Sequence, residues 1–338
     1  MVVVIKRGTS AQQIEELVSR LKQAGFGVGI TNGVDCTILG LVGDTSTLKL
    51  DAFSMYPYVE RVFRVQEPYK RANRQIHPAD TTITVGRAKI GGGYFSVIAG
   101  PCSVENRAQI VQAAREVKAA GASMFRGGTI KPRTSPYSFQ GVGRYELELL
   151  MEARESSGLP IVAEIMDPRL AERFEQEVDV VQIGAHNMQN FELLKEVGKM
   201  SKPILLKRGL SSTYEEWIMS AEYIMSEGNE KVILCEQGIR TFETCTHNML
   251  DVAAILAIKQ MSHLPVVVDP SLACGNSGMV EPLAMAAIAA GADGLMLEVC
   301  SDPIGAEYNR EPSLTRKEFD RFMKKAIPLV RMMDKQIL

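Results

Sequence analysis

PIVAEI (160–165), VVQIG (180–184), PILLK (203–207) and VILCE (232–236) are short apolar runs starting 20, 23 and 29 residues apart. The intervening segments have helical periodicity, as in YEEWIMSAEYIMSEG (214–228), whose closing Gly228 is a helix stop. Near-continuous apolar strands alternating with helices specify a parallel sheet covered by helices on its faces. The rhythm extends both ways: SVIAG (96–100) and SMFRG (123–127) precede it, and PVVVD (265–269) and GLMLE (294–298) follow. Eight such units that close on themselves make a (β/α)8 TIM barrel over residues 96–338. A doubly wound open sheet is the alternative.

Upstream, residues 1–66 read VVVIK, a helical pattern from Ala11 to Ala24, GVGIT, CTILGLVG, a short apolar helix near Leu48 to Phe53, and VERVFRV. The order β-α-β-β-α-β is that of a ferredoxin-like α+β domain, expected to serve packing, oligomerisation or effector binding. Gly25, Gly27, Gly29, Gly33 and Gly43 are expected at its turns. Residues 67–95 form a polar connector ending in a hairpin, TITVGRAKIGGGYFSV, with its turn expected at Gly91-Gly92-Gly93.

Composition narrows the function. In 338 residues, 46% are apolar and 23% charged, enough to bury a sizeable core. Lys plus Arg number 38 against 40 Asp plus Glu, for a formal charge of -2 without a long run of one sign, so a nucleic-acid partner is not expected. No apolar run approaches the roughly 20 residues that cross a bilayer, and MVVVIKRGTS lacks the order of a signal peptide; a cytoplasmic protein without membrane partners is expected. Six cysteines without CxxC pairs are expected to be reduced thiols.

In a barrel the active site lies at the C-terminal ends of the strands. Just after the apolar runs stand Cys102, Arg126 with Lys131 and Arg133, Glu164, His186, Lys207 with Arg208, Glu236 with Gln237, Asp269, and Glu298 with Cys300. Five cations at one mouth of a nearly neutral protein call for a bound anion, since arginine forks a carboxylate or phosphate and lysine offers a point charge. A small anionic metabolite is the expected ligand. No P-loop or dinucleotide fingerprint is present.

IAGPCSVE (98–105), RGGTIKPRTSPYSFQG (126–141), QIGAxNMQNFELL (182–194), LLKRG (205–209), ILCExGIRTFE (233–243), SHLPVVVDPS (262–271) and LEV (297–299) together resemble the 3-deoxy-D-arabino-heptulosonate 7-phosphate (DAHP) synthases. The resemblance is to the type I subgroup with an N-terminal ferredoxin-like domain. It implies condensation of phosphoenolpyruvate with erythrose 4-phosphate at a divalent metal held by Cys, His, Glu and Asp. It further implies an aromatic amino acid effector at the N-terminal domain and a homotetramer. Carried over by motif, the metal ligands are Cys102 and Glu298, while Leu272 and Asn309 stand where the family has His and Asp. A thiolate and one carboxylate fall short of the three or more protein donors of a catalytic divalent ion, so the cofactor is unassigned and the metal is doubted.

Other departures remove positive charge: His186, Gln237 and His247 replace arginines of the family motifs, and Asn276 and Ser277 replace a basic pair. Arg126, Lys131, Lys207 and the KPRTSP run, with Arg133, Thr134 and Ser135, remain to hold a carboxylate and an aldose phosphate. The resulting expectation is a DAHP-synthase-like aldol-type enzyme of aromatic metabolism whose ordinary metal-dependent condensation is lost or reduced, acting on a related keto acid, enol or cyclic acid. Lys131 or Lys207 would serve as nucleophile, base or anion anchor, and His186 and His247 as proton shuttles. Glu164 and Gln237 complete the substrate-binding set. A softer metal set including Cys274 and Cys300, a non-catalytic binding partner of a true synthase, and retained DAHP synthase activity with altered ligation are the alternatives.

Overall fold

The computed structural model describes residues 1–32, 36–43, 45, 48–64, 67–104, 106–128, 145–300 and 313–338. They fall into two compact units: Met1–Asp80 with Gln260–His263, and Thr81–Lys259 with Leu264–Leu338. In the first, β1 (Val2–Ile5), β2 (Gly27–Asn32), β3 (Thr37–Val42) and β4 (Val59–Phe63) form an antiparallel sheet in the order β2-β3-β1-β4. That is the ferredoxin-like arrangement. Helix α1 (Ala11–Gln23) begins at a capping box in which the Ser10 hydroxyl accepts from the Gln13 amide. Its Leu17, Val18 and Leu21 cover Val3, Ile5, Leu39 and Leu41 on one face of the sheet.

The second expected helix is only a four-residue 3-10 turn, Leu50–Phe53, which seats Phe53 in the same core. Gly27 and Gly29 lie within β2 rather than at turns, and Gly33 lies outside the described residues. The connector is not a free link. Its Ile76 joins Val2, Val4 and Ile38 on the opposite face of the sheet, and Asn73 bridges Ser262.

The second unit opens with a hairpin, β5 (Ile83–Val85) and β6 (Ala88–Ile90), followed by β7 (Tyr94–Gly100). The hairpin turns at Gly86-Arg87, where Gly86 has φ +58°, a value cheap for glycine and costly for residues with a Cβ. The expected turn at the glycine run is present as well: Gly91 and Tyr94 exchange backbone hydrogen bonds at 3.0 and 3.3 Å around Gly92-Gly93 and lead the chain from β6 into β7. Strands β7, β8 (Met124–Arg126), β9 (Ile161–Glu164), β10 (Val180–Ile183), β11 (Ile204–Lys207), β12 (Val232–Glu236), β13 (Val266–Val268) and β14 (Gly294–Cys300) pair in parallel. The β14–β7 pairing, Glu298 beside Gly100, closes the barrel.

Helices α2 (Arg107–Ala119), α3 (Tyr145–Ser157), α4 (Ala171–Glu177), α5 (Phe191–Gly198), α6 (Tyr214–Ser226), α7 (Val252–Met261), α8 (Pro270–Cys274), α9 (Ser277–Ala289) and α10 (Arg316–Met332) follow the strands, with short strands β15 (Leu314–Thr315) and β16 (Gln336–Ile337) at the end. None of the helices among the described residues is long and apolar enough to span a membrane.

The barrel interior is one apolar cluster with a residue from every strand: Ile98, Met124, Val162, Val180, Leu205, Ile233 with Cys235, Val267 and Met296. Ile83, Val85, Ala88 and Ile90 of the hairpin belong to it too. Side chains alternate along a strand, so this list fixes which positions face the axis and which face the helices.

Candidate active site

Two residues beyond each inward apolar position, the alternation brings a polar group to the axis. Met124 is followed by Arg126, Val162 by Glu164, Val180 by Gln182, Leu205 by Lys207, Cys235 by Gln237, Val267 by Asp269, and Met296 by Glu298. Cys102 stands four residues beyond Ile98. Seven strands thus put polar side chains on one inward ring, at the end of the barrel where the strands finish.

Buried ion pairs organise the ring. Lys207 Nζ donates to Asp269 Oδ2 at 2.6 Å. Arg126 Nη1 lies 3.8 Å from the same oxygen and 3.7 Å from Glu298 Oε1, too far for hydrogen bonds but well within ionic range. Ser271 of α8 fixes the neighbouring backbone, its hydroxyl accepting from the Glu298 amide at 3.0 Å. Gln182 donates to Glu164 at 3.0 Å, and a Cβ on Gly184 would fall 2.1 Å from Glu164 Oε1, so that close approach requires glycine.

Burial opposes the charge on Lys207, but the Asp269 carboxylate outweighs it and holds the lysine above its ordinary pKa. Burial likewise pushes the Asp269 carboxyl up; the charges of Lys207 and Arg126, with hydrogen bonds from Lys207 and the Leu272 amide, bring it below the usual carboxylate range. Arg126 is also raised: desolvation works against it, and Glu298, Asp269, Cys102 and Glu164 prevail. Lys207 is therefore a fixed cation suited to gripping an acid. A role as amine nucleophile or base needs the neutral amine, the form that the neighbouring Asp269 carboxylate disfavours.

Arg208 and Glu236 have the opposite parity and face away from the axis. Arg208 Nη1 binds Glu236 Oε2 at 3.0 Å and Asp251 Oδ2 at 2.9 Å, and its guanidinium lies 4.7 Å from the Tyr214 ring centroid. The Tyr214 hydroxyl donates to Asp251 at 2.8 Å. This network anchors the loop before α7 to the outside of the barrel and leaves Arg208 spent. Proximity to a strand end placed it in the mouth; parity removes it.

The thiols differ in the same way. Burial pushes the Cys235 thiol up to about 12, whereas Cys245 is exposed. Short alkylation of the native protein at pH 8 is expected to label Cys245 and leave Cys235 unmodified; peptide mapping by mass spectrometry checks this, and native labelling of Cys235 would contradict the inward placement.

With this geometry in view, the comparisons with known proteins decide the family. The model of the DAHP synthetase I family matches residues 72–334, and that of the DAHP synthase ferredoxin-like domain matches residues 1–67. The chain belongs to the DAHP synthetase I family. It is accordingly a DAHP-synthase-like enzyme of aldolase type. It is 45% identical over 314 residues to the phospho-2-dehydro-3-deoxyheptonate aldolase of Thermotoga maritima, covering 93% of each chain. A crystal structure of the Thermotoga maritima DAHP synthase superposes with a TM-score of 0.79 at 42% identity, covering 100% of this chain and 99% of that one. The 2-dehydro-3-deoxyphosphooctonate aldolase of Geobacter sulfurreducens is 31% identical over 262 residues, 72% of this chain and 95% of that protein.

Of the positions singled out in the sequence, the structure gathers Cys102, Arg126, Glu164, Lys207, Gln237 and Glu298 on the inward ring. His186, in a 3-10 turn after β10, and His247, in the loop before α7, are both exposed and stand outside it. Lys131, Arg133, Thr134, Ser135 and Asn309 lie outside the described residues. The family's divalent metal finds a poor seat. Leu272 sits in α8, three residues past the N-cap Asp269, and its side chain offers no metal donor. Among the described residues no group of three or more His, Cys, Asp or Glu side chains could hold an ion. The residues described do not fit the metal.

Sequence reasoning passed over Asp251, in the loop before α7, and Tyr214, which the sequence shows only as the first residue of a helical pattern. Gln182 left a readable signal, being a polar residue at an inward position of an apolar strand.

Proposed function

We propose that the chain catalyses an aldol-type condensation of the DAHP synthase class on a small acid held at the inward ring, and that the manganese-assisted reaction of phosphoenolpyruvate with erythrose 4-phosphate is lost or much reduced. The observation that carries this reading is Leu272 where the family has a donor, beside a ring in which Arg126 and Lys207 already pair with Asp269 and Glu298. Arg126 and Lys207 supply a fixed positive face for a carboxylate and for negative charge developing on an enol or alkoxide oxygen. With Gln237 and His247 where the family resemblance has arginines, a doubly charged phosphoenol loses charge-assisted hydrogen bonds worth about 1.5–3 kcal/mol each, whereas a related keto acid with one anionic end keeps its partners.

A second reading, DAHP synthesis retained with altered ligation, is favoured by the 45% identity to the Thermotoga maritima enzyme over nearly the whole chain. Phosphate release from phosphoenolpyruvate and erythrose 4-phosphate, with and without manganese, separates the two. The first reading expects a negligible rate in both conditions; ordinary manganese-dependent turnover would replace it with the second.

A further inference from the structure

Gln237 carries a feature that the ion pairs leave unexplained. It is only 2% exposed, yet among the described residues its Oε1 has no hydrogen-bond partner. Its Nε2 donates to the Arg208 carbonyl at 3.3 Å. Because a carbonyl only accepts, the amide nitrogen must face Arg208, and the orientation of the oxygen is thereby fixed on the other side.

The location is as informative as the orientation. Ile233 and Cys235 belong to the barrel interior, so Gln237, two residues further, continues on the inward face. Continuing the β12–β13 register, in which Glu236 pairs with Val268, sets Gln237 beside Asp269. Asp269 is the carboxylate that Lys207 and Arg126 approach. Arg126 Nη1 is likewise buried, with no hydrogen-bond partner among the described residues. An acceptor and a cationic donor are thus both incomplete around one carboxylate. Buried polar atoms in folded proteins are nearly always satisfied, and a pair left incomplete at one end of a barrel calls for a ligand with matching groups.

We propose that Gln237 is a specificity-determining residue whose Oε1 accepts a hydrogen bond from a hydroxyl of the ligand, so that the ring selects a hydroxylated 2-keto acid with a single anionic group over a phosphorylated one. The carboxylate sits against Arg126 and Lys207, and the hydroxyl against Gln237. A phosphate at the Gln237 position brings acceptors to an acceptor and gains nothing. The inference rests on reading the ring as an acid site.

Calorimetric titration of the full chain with pyruvate, 3-hydroxypyruvate and phosphoenolpyruvate tests it. Wild type is expected to bind 3-hydroxypyruvate about fivefold tighter than pyruvate, the worth of one net hydrogen bond, and phosphoenolpyruvate no better than pyruvate. Gln237→Leu is expected to erase the preference while leaving pyruvate affinity within about twofold, and Gln237→Arg to shift it toward phosphoenolpyruvate. Equal binding of pyruvate and 3-hydroxypyruvate by wild type, or a preference that survives Gln237→Leu, overturns the proposal. The wild-type comparison stands by itself even where a variant does not fold. It is also independent of turnover, so DAHP formation can refute the functional reading while the hydroxyl preference is judged on binding alone.

Discussion

Lys207→Met is expected to destabilise the barrel by about 3–5 kcal/mol, the usual consequence of stripping one partner from a buried ion pair. Methionine fills much of the lysine's volume, so the loss reflects charge. It leaves Asp269, which is fully buried, with the Leu272 amide and, as its cation, only the more distant guanidinium of Arg126 at 3.8 Å. Urea denaturation at pH 7 measures the change.

The pH profile sharpens the test. The folded pKa of Lys207 is raised, so its contribution is complete below the unfolded value of about 10.4 and fades as pH climbs through the folded value. The folded pKa of Asp269 is lowered, so its contribution is complete above about 3.9 and fades as pH falls through the folded value. The wild-type pair is therefore at full strength between roughly pH 4 and 10, and the variant is expected to lose most in that window. A loss under about 1 kcal/mol at pH 7 would mean that the pair is not buried and dry.

Arg208→Met is expected to cost a similar 3–5 kcal/mol in stability but to leave acid binding by the folded protein within about threefold of wild type. It abandons Glu236, Asp251 and the Ser212 carbonyl together, along with its stacking on Tyr214. None of these groups lies on the inward ring. Lys207→Met, by contrast, removes a cation from the ring, and pyruvate binding is expected to fall by ten- to a hundredfold, the loss of one charge-assisted hydrogen bond. Calorimetry below the denaturation midpoint of each variant compares the two. If Arg208→Met abolished binding as Lys207→Met does, the assignment of adjacent residues to opposite faces of the barrel wall would be wrong.

This contrast shows what the amino-acid order carries. Eight apolar runs separated by helical periodicity were enough for the barrel, because only a strand covered on both faces reads as a near-continuous apolar segment. The ring was legible as well, though through alternation rather than nearness to strand ends: Ile233, Cys235 and Gln237 count inward, while Glu236 and Arg208 count outward. Pairing was not legible. Nothing in the spacing says that Lys207 takes Asp269 rather than Glu298, because closure of the barrel and the lengths of the side chains set that choice. Three consecutive glycines made the turn between Gly91 and Tyr94 legible, whereas the lone Gly86 gave too weak a signal for the two-residue turn that joins β5 to β6. The connector read as polar because its buried residues, Tyr69, Ala72, Asn73 and Ile76, are interspersed with charged and polar ones.

On the proposed reading the ring grips an acid through fixed cations, and its described residues offer no seat for the family's divalent ion. Equilibrium dialysis of metal-free protein against manganese at tens of micromolar, with bound metal quantified, tests it most directly. The account predicts far less than one manganese per chain, with Leu272→His, which restores one donor, retaining more than wild type. A wild-type chain that holds one full equivalent at that concentration would contradict it.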